Sequence, residues 1–366
     1  MRAVKSEPLY GQLLGVGGIG TGLFFALEGE HTLGRNESRP GRLLDVRDFC
    51  KLHIVAHYVS KLLGANASPS SFKVFPIGTV GDDAGGRFVL DEMRQAGIDT
   101  HFVTIAHHAP TLLSICFQYP DGTGGNITTN NSAAAKLSED DLSGPAETLR
   151  SLGSRSIALA VPEAPFAARH KFLSLGSSTG AFCVASFTYG EIQAAKRSGL
   201  FQLLDLVALN EAEASALLGC DFVVDEPQKL IDKCLSFISK TSSRLRLIVT
   251  AGERGAFGFA HGIWNHCPAP RVHVRSTAGA GDALLAGVIA AIASGIPFVA
   301  LSPVPSRVEK SVTTALEFGV LLASYKVTSP HSIHPDACFE AIARFALDSG
   351  ISISPSFKRS FVTRRT

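Results

Sequence analysis

The sequence predicts an α/β protein built on a mostly parallel sheet with helices on both faces. Three observations predict it. From Ile157 onward, apolar strand-like runs alternate with helical ones, the order that lays strands parallel with crossover helices between them. Residues 282–293 are apolar almost all the way round, which makes them a buried helix. Around residues 111–129 the alternation is interrupted by a short antiparallel piece, set apart from the main sheet.

The 366 residues suffice for one large α/β domain or two smaller ones, and a composition poor in charge can supply a large core. With a formal net charge of +2, no basic surplus calls for nucleic acid, and there is no acidic tail. Seven cysteines are scattered without a CxxC or CxxxC pair, which argues for reduced thiols and a cytoplasmic protein. Residues 1–8 lack the apolar stretch of a signal peptide. The longest apolar run, 283–293, is too short to span a membrane. The basic end, 358–365, reads as a solvated tail.

In order, the chain opens on residues 12–22, where Gly15, Gly17 and Gly20 form GxGxxG after a strand. That spacing can hold a dinucleotide, but residues 29–42 are polar where such a fold needs a second buried strand ending in an acid. The alternative is a first strand whose glycine-rich end lets another ligand approach. Residues 34–51 carry Arg35, Arg39, Arg42, Arg47 and Lys51. They form a solvated flap or, if the side chains converge, a site for an anionic group. Lys51–Leu63 reads as a helix stopped by Gly64. His53 and His57 have zinc-helix spacing without the accompanying Glu or third ligand, so ordinary helix histidines are expected.

Residues 72–80 read as a strand, 87–96 as an amphipathic helix and 111–119 as a strand. Asp121-Gly122 signals a hairpin, with 126–129 returning, a natural lid over a site. Strands follow at 157–161, Phe182–Ser186 and 204–209, with helices near 165–175 and 190–198. Asn210 opens a helix over 212–218, and Glu213 completes a pair of capping-box type. Arg246–Thr250 is a buried strand, 251–255 a sharp turn and Ala256–Ala260 the return. Helices are expected around 308–325 and 335–347.

Before those helices stands Ser276-Thr277-Ala278-Gly279-Ala280-Gly281-Asp282, preceded by an alternating run, 271–275, that reads as a strand. Small residues let the N–H groups of Gly279, Ala280 and Gly281 approach an anion at a helix N-terminus. Asp282 can cap that helix or act as a general base beside a phosphate, and the stretch alone does not choose.

Three features occur in order: Asn210 with Glu213, Thr250 with Gly252 and Gly255, and Gly279 to Asp282. With the upstream Gly78, Gly81, Asp82, Asp83 and Gly86, they resemble the ribokinase-like, or pfkB-type, carbohydrate kinases, from about residue 12 to about 330. The resemblance implies a three-layer α/β/α sandwich with a mostly parallel sheet and a small β lid. It implies one kinase domain over 10–348, with lid pieces near 23–50 and 100–130 and a tail at 349–366. It further implies ATP-dependent phosphorylation of a hydroxyl on a sugar-like small molecule. Asp282 would then be the general base and Gly279, Ala280 and Gly281 the anion hole. Asn210 and Glu213 would help place Mg²⁺, while Thr250, Gly252, Gly255 and Thr277 lie along the nucleotide. Lid strands of this family often pair between subunits, which would give a homodimer.

Some positions depart from that pattern. The motif usually begins Asp-Thr, and here Ser276 precedes Thr277, which leaves activation by a monovalent cation open. The acid that grips sugar hydroxyls near the first strand is missing at Gly20-Thr21-Gly22, and Cys50-Lys51-Leu52-His53 stands in place of a Gly-Gly-x-x-x-Asn segment. The acceptor site is therefore unusual, and a catalytically silent binding protein on the same scaffold is the second reading.

Overall fold

The computed structural model describes residues 9–65, 72–121, 124–220, 227–300 and 311–362. The leader reading at 1–8, Gly122 of the hairpin signal, the start of the helix expected from 308 and the last tail residues lie outside them.

The main sheet runs β13-β12-β11-β10-β9-β8-β1-β4-β5. Its strands are β1 (Gln12–Val16), β4 (Lys73–Gly81), β5 (Val103–Ala106), β8 (Ser156–Ala160), β9 (Phe182–Ser186), β10 (Leu206–Asn210), β11 (Arg246–Thr250), β12 (Ala256–Ala260) and β13 (Ile263–Cys267). All pairings are parallel except β11 with β12 and β12 with β13. Successive side chains of a strand point to opposite faces, so Leu13 enters one core and Leu14 the other.

One face is covered by α1 (Lys51–Leu63), α8 (Ala280–Ala293), α9 (Ala315–Lys326) and α10 (Phe339–Asp348). The other carries α3 (Ser143–Leu152), α4 (Phe166–Ser178), α5 (Ile192–Arg197), α6 (Glu211–Leu218) and α7 (Pro227–Thr241). Every residue of α8 from Ala283 to Ala293 is buried, as its apolar sequence predicts. Two glycines let α8 and α9 meet closely: a Cβ on Gly287 would lie 3.0 Å from the Gly319 Cα.

A separate sheet of order β3-β2-β6-β7 stands where the lid was expected. It comprises β2 (Gly20–Leu27), β3 (Gly41–Phe49), β6 (Leu112–Gln118) and β7 (Gly124–Thr128). Its central pair, β2 with β6, is parallel, and its outer pairs are antiparallel. Residues 103–106, assigned to the lid from sequence, instead extend the main sheet beside β4. Helix α2 (Ala84–Gln95) is capped by Asp83, whose carboxylate also takes the Thr111 N–H and hydroxyl and so ties α2 to the start of β6.

Two expectations are corrected. Residues 271–275 form no strand. Alternation alone does not make one: the Arg275 N–H donates to the Val327 carbonyl (2.7 Å) rather than to a neighbouring strand. The C-terminal segment is not a solvated tail. In α11 (Pro355–Val362), Phe357 and Phe361 are buried against Phe318, and Phe361 stacks on Phe339, while Lys358 and Arg359 face water. Those aromatics sit four residues apart on one helix face, and their burial outweighs the basic composition.

Candidate active site

Parallel strands of one sheet end along a common edge, and the loops beyond that edge hold the residues singled out from sequence. A cavity of about 570 Å³ lies there, between the main sheet and the small one. The main domain contributes Lys51, Glu163, Asn210, Thr277, Gly279 and Asp282 to its lining. The small sheet contributes Phe24, Asp48, Ser114, Cys116 and Asn126.

Gly279 is the N-cap residue of α8, with φ of 76°, a left-handed conformation that suits glycine. It is also sterically required: a Cβ there would fall 2.7 Å from the Ser332 carbonyl oxygen. At Gly281 a Cβ would meet nothing within 4 Å, so the turn stays open on that side. Of the three donors expected from sequence, Ala280 is engaged, its N–H bonded to the Thr277 carbonyl (3.1 Å). The N–H groups of Gly279 and Gly281, and also of Asp282, have no partner among the described residues. These are the orphan donors of a helix start.

The Asp282 side chain, 12 % exposed, does not cap its helix; its Oδ1 lies 3.7 Å from Lys51 Nζ. The aspartate is the main reason that the Lys51 ammonium is held well above the usual lysine range. Lys51 is the first residue of α1, so the N-termini of two helices converge on this pair.

Glu163, in the loop after β8, was not foreseen from the sequence. Its carboxylate faces the Cys50 thiol and the Lys51 N–H, both of which favour its charged form, while its Oε2, shielded from solvent, has no hydrogen-bond partner. Burial, the largest influence, raises its pKa, against the attraction of Lys51. Its backbone has φ of 71°, unusual for a non-glycine residue, and it crowds Gly18, where a Cβ would lie 2.3 Å from the Glu163 Cβ. The one signal for it was an acid placed just past a strand's carboxyl end.

Asp48 occupies the space above Gly22, its partner in the β2–β3 register: a Cβ on Gly22 would lie 3.0 Å from Asp48 Oδ2. The Cys116 thiol donates to the same oxygen (2.9 Å). An acid missing from β2 is thus present on the neighbouring strand. Of the five basic residues at 34–51, only Lys51 lines the cavity. Arg39 is held by Glu37 and the His31 carbonyl.

Asn210 and Glu213 form a reciprocal capping box at α6: the Glu213 N–H donates to Asn210 Oδ1 (2.8 Å), and the Asn210 N–H to Glu213 Oε2 (2.9 Å). Asn210 reaches the cavity lining; Glu213 is not among its lining residues. Thr250 pairs in register with Asn210. The turn after it, with Gly252 and Gly255 at positive φ, is fastened to α6 by an Arg254–Glu211 ion pair. Nothing larger than glycine fits at 255, where a Cβ would lie 2.0 Å from the Cys267 carbonyl oxygen. The structure therefore gathers Asn210, Thr277, Gly279 and Asp282 at one cavity, with Thr250, Gly252 and Gly255 one strand further along. His53 is fully buried beside Phe49 and is held neutral by burial. No group of three or more potential metal ligands occurs among the described residues.

A carboxylate beside open N–H donors at a helix start, facing a cavity walled by a second sheet, is the layout of a small-molecule phosphotransferase. A family model described as pfkB family carbohydrate kinase matches residues 55–337, and the chain belongs to that family of carbohydrate kinases. It is 26 % identical over 261 residues to a fructokinase of Klebsiella pneumoniae, covering 62 % of this chain and 74 % of that one. It is also 26 % identical over 276 residues to a 2-dehydro-3-deoxygluconokinase of Thermoproteus tenax, covering 73 % and 81 %. The fold matches a ribokinase from Cryptococcus neoformans var. grubii serotype A in complex with ADP, with a TM-score of 0.72 at 20 % identity, over 91 % of this chain and 99 % of that one.

Proposed function

We propose that this kinase transfers the γ-phosphoryl group of ATP to a hydroxyl of a neutral, sugar-like acceptor, with Asp282 as general base. The carrying observation is the Asp282 carboxylate, which lines the cavity with Gly279 and stands at the start of α8 where the N–H groups of Gly279 and Gly281 are open. Asp282 takes the proton of the attacking hydroxyl, and the turn meets the charge on the phosphoryl oxygens. Lys51, 3.7 Å from the Asp282 carboxylate, offers a cation to the transferring group. Glu163 and Asp48 receive acceptor hydroxyls; Glu163 Oε2 is an acceptor awaiting a donor.

The nucleotide lies past Asn210, along Thr277 and the turn of Thr250, Gly252 and Gly255. Mg²⁺, a hard cation preferring oxygen, neutralises phosphate charge when bound. The donor set fits it loosely: Glu213 commits Oε2 to the capping box, so Asn210 and Glu213 would help place the ion while phosphates and waters would hold most of it. The two curated relatives bear different acceptor names, so the acceptor here is drawn from the cavity: three carboxylates, Asp48, Glu163 and Asp282, with one lysine, Lys51, favour hydroxyls over an anionic group. The apolar outer face of the small sheet, with Leu43, Leu113, Ile115 and Ile127 exposed, pairs two copies into a homodimer. Scattered thiols and this metabolic chemistry agree with a cytoplasmic setting.

The test is a coupled ATP-consumption screen over sugars, sugar acids, nucleosides and sugar phosphates. At least one neutral polyol should turn over, and Asp282→Asn should lower kcat by about 10²–10⁴. Nucleotide binding without turnover of any acceptor would favour the silent reading, and full activity of Asp282→Asn would remove the base assignment.

A further inference from the structure

Lys326, the last residue of α9, is fully buried, an uncommon place for a lysine. Its Nζ donates to the Ser276 carbonyl at 3.0 Å. The following residue continues the contact, because the Val327 carbonyl accepts the N–H groups of Arg275 (2.7 Å) and Ser276 (3.4 Å). Ser276, itself fully buried, passes the order forward: its Oγ accepts the Ala278 N–H at 3.2 Å. Lys326, Ser276 and Ala278 thus form a relay ending one residue before the open turn at Gly279.

We propose that the Lys326 ammonium is a built-in cation of the phosphate-binding turn, a positioning residue that makes catalysis independent of any added monovalent cation. The inference rests on the kinase reading of the site. A monovalent ion ordering this loop would need oxygen ligands around position 276. Here the side chain is a serine hydroxyl rather than a carboxylate, and the carbonyl is already taken by the ammonium. An ion does not fit where the chain has placed its own charge. An unpaired buried ammonium is costly, so the site must repay it electrostatically. Burial, the largest influence, works against its charge, and Asp48 and Asp282 favour the charged form. Its field falls on the turn whose N–H donors face the phosphoryl group, and it acts in a site of low dielectric where such fields are strong.

The experiment measures turnover of the best acceptor in tetramethylammonium buffer, with K⁺, NH₄⁺ or Na⁺ added. The wild-type enzyme should change less than twofold with any of them. Lys326→Ala should lose at least tenfold in kcat with little change in acceptor KM, and NH₄⁺ or K⁺ should restore part of it. Strong activation of the wild type by K⁺ would overturn the proposal. So would a folded Lys326→Ala enzyme that keeps full kcat, or one that no cation rescues, since a purely structural lysine gives no cation response. If the variant does not fold, the wild-type titration alone decides. Absence of turnover with every acceptor, in every buffer, would instead count against the kinase reading.

Discussion

Glu163 and Lys326 are the two residues whose environments carry the sharpest consequences. The Glu163 carboxylate faces the Cys50 thiol and the start of α1, with its Oε2 buried and without a hydrogen-bond partner. Glu163→Gln should lower kcat/KM for the acceptor by about ten- to a hundredfold, the worth of a hydrogen bond to a charged group, with the KM for ATP unchanged. Unaltered acceptor kinetics would leave it only the task of holding α1. Lys326 has its pKa lowered by burial from 10.5 to about 8, against the pull of Asp48 on β3 and Asp282 on α8, with His334 also facing it. Between those two values the unfolded chain binds more protons than the folded one, so this residue makes stability rise as pH increases. The charged form in the folded protein falls over the same window. Activity should therefore decline above pH about 8 while this stability contribution grows, which a pH–rate profile beside thermal melts at matched pH would show. A decline that persists in Lys326→Met would assign the effect to another group.

At the scale of elements, α8 and α9 form the tightest joint in the molecule that the site depends on. A Cβ on Gly319 would lie 2.6 Å from Val288 Cγ2 and 2.8 Å from the Leu284 carbonyl oxygen. Gly319→Ala should destabilise the protein by about 1–3 kcal/mol, the range for overpacking, in denaturant titrations. An unchanged midpoint would mean that the helices separate freely. The helix start at Gly279 was legible in the sequence because small residues, a buried run and an acid have few other uses together. The capping box at Asn210 was legible for the same local reason. Residues 271–275 misled, because alternation records two faces but not whether a neighbouring strand exists. Helix α11 misled through its charges, which all point outward while two phenylalanines point in.

For the whole molecule, the alternating pattern indicated the main sheet, since parallel strands need crossovers whose helices show their own period. The acceptor side was not readable in that way. Asp48, Glu163 and Lys326 lie far apart in the chain, and only tertiary structure brings them around Asp282. A lysine ending an apolar helix reads as an ordinary partner of the helix dipole until the fold buries it. The outer face of the small sheet pairs Ile115 with Ile127, the latter 66 % exposed, and adds Leu43 and Leu113. The homodimer proposed above would use this apolar face. Sedimentation at micromolar concentration should give a dimer for the wild type and a monomer for Ile127→Glu. A wild-type monomer would dismiss the pairing.

Cys50 is the single residue between the end of β3 at Phe49 and the start of α1 at Lys51. On the other side, only Gly17, Gly18 and Ile19 separate β1 from β2. Two of the small sheet's connections to the main domain are therefore very short, one rooted in the centre of the main sheet and the other in the helix that carries Lys51. A tilt of that sheet loads the Cys50 joint and, through it, α1. A ligand gripped by Asp48 from above thus pulls, through three residues of chain, on the lysine that faces Asp282. Occupancy of the cavity and the position of the lysine beside its base are mechanically geared to each other.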